Sequence, residues 1–143
     1  MSTPHTPRTP HTSPELTPFI KQWAVLLTSH KRDGTGVGTP VSLAVEGDHA
    51  YFRSPGNAGK VKRLRNNPEV ELAPSTARGA PTGPEIHARA RLLEHGSAED
   101  RHAAQLLRRK HPFLQGVLVP LTHKAMRTGT KHYEVRPLEE KPE

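Results

Sequence analysis

The chain has 143 residues, and its 21 lysines and arginines against 14 acids leave a formal charge of +7. That length fits one domain, and the absence of cysteine excludes a disulfide framework, a thiolate zinc site and a thiol nucleophile. No apolar run approaches the roughly 18 residues of a membrane span, and no secretory signal is visible, so the expected location is the cytoplasm.

Proline is concentrated at the start. Pro4, Pro7, Pro10 and Pro14 stand among threonines, serines and histidines, so residues 1–14 are expected to be a disordered leader. Ser13-Pro14-Glu15 opens a predicted short helix to about Gln22, with the serine hydroxyl as cap and proline at the first helical position. Residues 23–28, beginning at Trp23, read as a strand, and Asp33-Gly34 turns the chain into a return strand over 37–45. Glu46-Gly47-Asp48 turns it again into a third strand, 50–53. The run Gly34-Thr35-Gly36-Val37-Gly38 leads into a strand and not a helix, so its glycines are turn punctuation and not a nucleotide loop.

A loop over 55–59 precedes a short helix, 60–66, that Asn67-Pro68 stops. Residues 69–73 alternate as a strand, and a wide turn over 78–83 leads to another, 85–93. In that strand Ile86, Ala88, Ala90 and Leu92 alternate with Glu85, His87, Arg89 and Arg91, which predicts one buried and one wet face. Ser97-Ala98-Glu99-Asp100 caps a long helix with apolar Ala103, Leu106 and Leu107. A helical stretch over 115–126, a last strand over 131–135 and an acidic tail, 138–143, complete the chain. Six antiparallel strands with helices in the loops predict an α+β fold, a small closed or partly closed barrel within residues 15–137.

The positive charge is clustered: Lys60, Lys62, Arg63 and Arg65 fall within six residues, and Arg108, Arg109 and Lys110 are consecutive. The segment from Arg53 to Arg63 combines a strand-end arginine and serine, a glycine loop with unobstructed amides, and Lys60 at a helix start. Orphan N–H groups and a point charge there suit a phosphate, although a solvated basic helix would have the same composition. Pro40, between Thr39 and Val41, cannot donate to a ladder and predicts an edge or an irregularity, and Pro74-Ser75 interrupts a strand in the same way. The ten histidines are scattered without metal-binding spacing, so no metal is expected and they read as surface residues. No nucleic-acid partner is expected either. The aromatic residues fall inside predicted elements, and neither a helix-turn-helix nor a zinc-finger spacing is present.

The order of these pieces resembles the pyridoxamine 5′-phosphate oxidase-like (PPOX) class, the FMN-binding split-barrel superfamily. The residues that carry the resemblance are Val25-Leu26-Leu27-Thr28, Asp33-Gly34-Thr35, Val37-Gly38-Thr39-Pro40-Val41, Tyr51-Phe52-Arg53-Ser54, and Gly59-Lys60-Val61-Lys62-Arg63-Leu64. Asn67-Pro68 with the strand to Pro74, the turn Arg78–Gly83 and the run Ala88–Leu93 extend it, so that it covers about residues 16–136. Within the superfamily the chain looks most like the small class dependent on the deazaflavin coenzyme F420. The resemblance implies an antiparallel split β-barrel with helices in its loops, a homodimer with cofactor at the interface, and a small-molecule substrate. It implies that Lys60 binds the cofactor phosphate with Arg53 and Ser54 beside it, and that Thr39, Pro40 and Val41 line the ring. Pro74 and Ser75 then approach the site, and Lys62 or Arg63 assists with the anionic tail. The chain departs from the family pattern at Ser42-Leu43, where an aromatic usually follows the Pro-Val pair, and at His111, where relatives often have tyrosine. The implied activity is hydride transfer from reduced coenzyme F420 to an activated double bond of a small organic acceptor. The alternatives are an FMN-binding oxidoreductase of the same fold or a non-catalytic cofactor carrier. No catalytic side chain is assigned.

Overall fold

The structure, a computed structural model, describes residues 12–56, 58–110 and 129–138. The helical stretch expected over 115–126, His111, and all but the last three residues of the expected leader lie outside them. Seven strands form one antiparallel sheet: β1 (Ala24–His30), β2 (Gly36–Val41), β3 (Leu43–Glu46), β4 (His49–Pro55), β5 (Glu69–Ser75), β6 (Ile86–Leu92) and β7 (Thr130–Pro137). Two helices, α1 (Gly59–Asn66) and α2 (Ala98–Lys110), occupy the connections after β4 and β6. No helix among the described residues is long and apolar enough to cross a membrane.

The sheet order is β2-β1-β5-β6-β7-β4-β3, which puts β2 and β3 at opposite edges although Ser42 alone joins them. Strands lie about 4.8 Å apart, so a flat sheet would separate those edges by roughly 29 Å. One residue spans only about 3.5 Å. The sheet therefore curls until its two edges meet, and β2 touches β4. This is the split-barrel fold, α+β with helices in the loops.

The inward face is legible from register. Val41, Val25 and Pro74 form one row across β2, β1 and β5, and Thr39, Leu27 and Leu72 the next. Phe52 of β4 stacks on Tyr133 of β7, with ring centroids 4.9 Å apart and planes 6° from parallel. A second apolar cluster lies on the other face, where Ala103 and Leu107 of α2 cover Ala44 and Tyr51. Alternation along β4 therefore sends Ala50 and Phe52 into the barrel and Tyr51 toward α2.

Several expectations are corrected. The single return strand over 37–45 is two strands, broken at Ser42 by the curl, so the described residues form seven strands and not six. The first helix is a 3₁₀ turn, Pro14–Phe19, and the Ser13 side chain does not cap it. Pro14 and Pro18 lack the N–H groups that a longer helix would use. Instead Ser13 N–H donates to Gly47 O at 3.0 Å, and Thr17 Oγ1 donates to Ser13 O at 3.3 Å. Trp23 lies outside β1 and is 50% exposed, and Leu92, expected inside, is also 50% exposed because β6 ends there. Gly36 and Gly38 are more than punctuation. A Cβ on either would come within 2.9 Å of Thr28 or Leu26, so their bare backbones make room for those side chains.

Candidate functional site

The loop after β4 delivers Lys60 to the first turn of α1. The cap position, Ala58, has an extended backbone and provides no side-chain bond, and no acid occupies the first turn. Ala58 N–H donates to Pro55 O at 3.1 Å and Val61 N–H to Ala58 O at 3.0 Å, so among the described residues it is the amides of Gly59 and Lys60 that are left for another partner. Lys60 is only 7% exposed, and among the described residues no carboxylate pairs with it. Burial lowers its pKa, and the nearby Arg63 lowers it further. An ammonium drawn partly out of water with no counter-charge is disfavoured, which is the sense of that shift.

Arg63, one helical turn later, folds back over the start of α1. Its Nε donates to Ser29 Oγ on β1 at 2.7 Å, and a Cβ on Gly59 would sit 3.0 Å from its Nη1. Gly59 therefore leaves space for the guanidinium, and Ser29, fully buried, fixes its direction. Lys62 points away and is exposed. The helix thus turns one of the two expected tail-binding cations toward the barrel and the other into solvent.

The remaining candidates gather elsewhere on the barrel. Val41 and Pro74 flank Val25, while Pro40 stands opposite Leu26 and Ser75 opposite Ala24. Pro74 is covered by the following turn, where a Cβ on Gly83 would lie 3.2 Å from its Cγ. Ser75 Oγ donates to Thr76 O at 3.0 Å, and Gln22 Nε2 donates to Ser75 O at 3.2 Å and Ala24 O at 3.0 Å, tying β1 to β5. β2 is an edge in the sheet order, with Thr39 half-buried and Pro40 exposed, so alternate backbone groups along it face away from the ladder. Extending the β3–β4 register by one residue brings Arg53 opposite Ser42, next to this row. Ser54, fully buried, donates to Pro55 O at 3.0 Å. Arg53 is half-buried, and burial and the neighbouring Arg108 both depress its pKa.

Strand parity divides these residues: Thr39, Val41, Pro74 and Ser54 share the inward side of the barrel, whereas Pro40, Ser75 and Arg53 fall on the opposite side, Arg53 with Tyr51 and α2. Lys60 belongs to the connection that follows Ser54, and Arg63 anchors at Ser29. Ser29 is four residues along β1 from Val25, about 13 Å at strand rise. An apolar strip and a cation pair at that separation suit a flat ring joined by a linker to an anion.

Three residues near the candidates are not singled out by the sequence. Ser29 shares the inward parity of Val25 and Leu27, a signal legible in the sequence. Arg108 was seen only as part of a charge run. His132 was grouped with surface histidines but is buried, and its Nδ1 lies 2.8 Å from Asp100 Oδ1. Those two are far apart in sequence, and only the packing of α2 on β7 joins them. Among the described residues, no group of three or more His, Asp or Glu side chains is arranged to hold a metal ion.

No protein-family model and no curated protein matches the sequence. Solved structures do match the fold. An F420 reductase is 18% identical, covering 89% of this chain and 95% of its own, with a TM-score of 0.59. A candidate pyridoxamine 5′-phosphate oxidase from Listeria innocua is also 18% identical, with coverage of 87% and 90% and a TM-score of 0.59. The heme storage protein HutZ from Vibrio cholerae is 12% identical, with coverage of 91% and 92% and a TM-score of 0.62. Each spans nearly the whole described barrel and shares its architecture.

Proposed function

We propose that this chain binds the deazaflavin coenzyme F420 and serves as an oxidoreductase acting on a small organic acceptor. The observation that carries the reading is Lys60, a buried ammonium with no carboxylate among the described residues and a second cation, Arg63, oriented beside it by Ser29. A phosphate there receives two charge-assisted partners and the amides of Gly59 and Lys60, while the ring rests along Thr39–Val41 and Pro74. Ser54 approaches the linker between them, and the exposed Lys62 attracts the anionic tail at longer range. The similarity in fold to an F420 reductase supports the choice of cofactor.

When bound and reduced, the deazaflavin supplies a hydride to an activated double bond of the acceptor, and a solvent proton completes the reduction. The chain's own residues bind, orient and exclude water. Two copies form the working unit in this reading, with the cofactor between them. Fluorescence titration of the full chain with coenzyme F420 and with FMN tests it. Micromolar or tighter F420 binding, weakened at least tenfold in Lys60→Ala, is expected. Tight FMN binding with none for F420 transfers the site to the FMN alternative, and unchanged F420 affinity in Lys60→Ala removes the phosphate assignment. Cofactor binding without turnover of any acceptor among quinones, enones and tetrapyrroles makes the chain a carrier.

A further inference from the structure

On the outer face of the sheet, acids and bases alternate in a chain of contacts that returns to the helix on which it starts. Glu99, in the first turn of α2, meets Arg91 of β6 at 2.5 Å, and Arg91 meets Glu134 of β7 at 3.2 Å. Glu134 also accepts from Arg136 at 3.2 Å, and Arg136 reaches Asp48 in the β3–β4 turn at 3.2 Å. Asp48 accepts from His49 Nδ1 at 2.8 Å, and Glu46 accepts from His49 Nε2 at 3.2 Å. Glu46 accepts in turn from Nε2 of His102 at 2.9 Å. His102 lies one turn after Glu99 on α2, so the contacts close into a ring. Buried Tyr51 stands within it, edge-on to the rings of His49 at 5.2 Å and His102 at 5.8 Å. Burial, and then the carboxylates of Glu46, Glu134 and Glu99, push its phenol up to about 12.

The ring sets the carboxylates of Glu46, Asp48, Glu99 and Glu134 against only two guanidiniums, Arg91 and Arg136. It is neutral when both imidazoles are protonated and carries excess negative charge when they are not. His49 makes the same demand through geometry. Both of its nitrogens face carboxylate oxygens, and a neutral imidazole has a single N–H. One contact would then set a lone pair against an anion, and only the imidazolium donates to both. The two acceptors are held on the ionised side. The bond from His49 draws the Asp48 carboxyl down. At Glu46 burial pushes upward, but the bonds from His102 and His49 outweigh it. Exposed ion pairs taken singly count for little, whereas a closed network restrains its members together. Here Glu134 is buried and His49 half-buried.

We propose that this ring is a proton-operated clasp: protonation of His49 and His102 closes it and fastens the first half of α2 to the β3–β4 hairpin, and loss of those protons opens it at Glu46. The other side keeps its charge throughout, because Arg91 and Arg136 stay protonated and Tyr51 stays neutral, so opening is one-sided. The closed ring exists only in the folded chain, which therefore holds these protons more firmly than the unfolded chain does. The stability they confer is present on the acid side of the histidine range and is lost as pH rises through neutrality. The clasp is independent of the cofactor reading above.

Nitrogen-15 NMR of the imidazoles in the full wild-type chain tests this without any variant. At about pH 7, where a free histidine is mostly neutral, His49 is expected to show two protonated nitrogens when folded and the neutral pattern when unfolded in urea. Thermal melts at pH 6 and pH 8 give a second readout. The wild-type melting temperature is expected to fall by roughly 2–4 °C between them. In His102→Lys, whose ammonium keeps its charge at both values, about half of that fall should vanish. His49→Gln removes the charge, and it is expected to melt below the wild type at pH 6 and to converge on it at pH 8. The pairs of Glu71 with His30 and His87, and of Asp100 with His132, remain in every variant, so their share of the pH dependence cancels. A neutral His49 in the folded chain at pH 7 overturns the proposal. So does a fall between pH 6 and pH 8 as large in His49→Gln as in the wild type.

Discussion

Lys60 shows how a single side chain can be costly to the fold and useful to a ligand. Its ammonium is buried beside the Arg63 guanidinium, so two like charges face each other where burial already disfavours one. Replacing a buried, uncompensated charge by an apolar chain of similar length commonly stabilises a protein. Lys60→Met is therefore expected to raise the melting temperature of the ligand-free protein while weakening F420 binding, and calorimetry with a parallel titration would reveal both. A fall in melting temperature would mean that the ammonium already has a partner. Trp23, the only tryptophan, offers an internal reporter. It is half-exposed and directly precedes β1, where Gln22 clamps the strand to Ser75. A ring settling along Val41 and Pro74 is expected to quench its emission, and the quenching should weaken in Lys60→Ala at the same cofactor concentration. Residues adjacent in sequence were readable in advance, because Gly59-Lys60 places a cation and a bare backbone together. The Arg63–Ser29 and His132–Asp100 contacts were not, since each joins elements whose packing no local pattern encodes.

Helix α2 is fastened at three levels. At its start, Asp100 N–H is capped by Ser97 Oγ, as the Ser-x-x-acid pattern predicted. In its first half, His102 Nε2 meets Glu46 of β3 at 2.9 Å, and Glu46 also takes His49 Nε2 at 3.2 Å. Burial raises the Glu46 pKa, but the two histidine bonds outweigh it and the net shift is downward. At its end, Lys110 Nζ donates to Leu43 O at 2.6 Å and Phe19 O at 3.2 Å. Ser97→Ala should cost about 1 kcal/mol, read as a lower urea midpoint with an unchanged slope. Strand identity was legible wherever apolar residues alternate. The break at Ser42 was not, because Val41-Ser42-Leu43-Ala44-Val45 has continuous strand propensity and only closure of the barrel requires the chain to bend there.

The excess of positive charge is a property of the whole molecule, yet burial sets its consequences for stability. Lys110 is held by desolvation at about 8, against 10.5 for a free lysine. Between those values the unfolded chain binds more protons than the folded one, so stability rises with pH across that window. Lys60, also lowered by burial, acts in the same direction. Tyr51 is pushed up to about 12 from 10.0, mainly by burial and then by the carboxylates of Glu46 and Glu134. From pH 10 to 12 the folded chain binds more protons, and stability falls. Melts at pH 8, 10 and 11.5 should therefore pass through a maximum near the middle value. Lys110→Met is expected to flatten the rising limb and leave the falling one.

The one-residue seam at Ser42 also has a mechanical meaning. Both edges of the sheet end on the same residue, so the torsions of Ser42 act as a hinge pin between the strand that carries Val41 and the strand that pairs with Arg53. Closure of the barrel is thus a matter of two torsion angles on one serine, and a residue inserted beside it would let the two edges part.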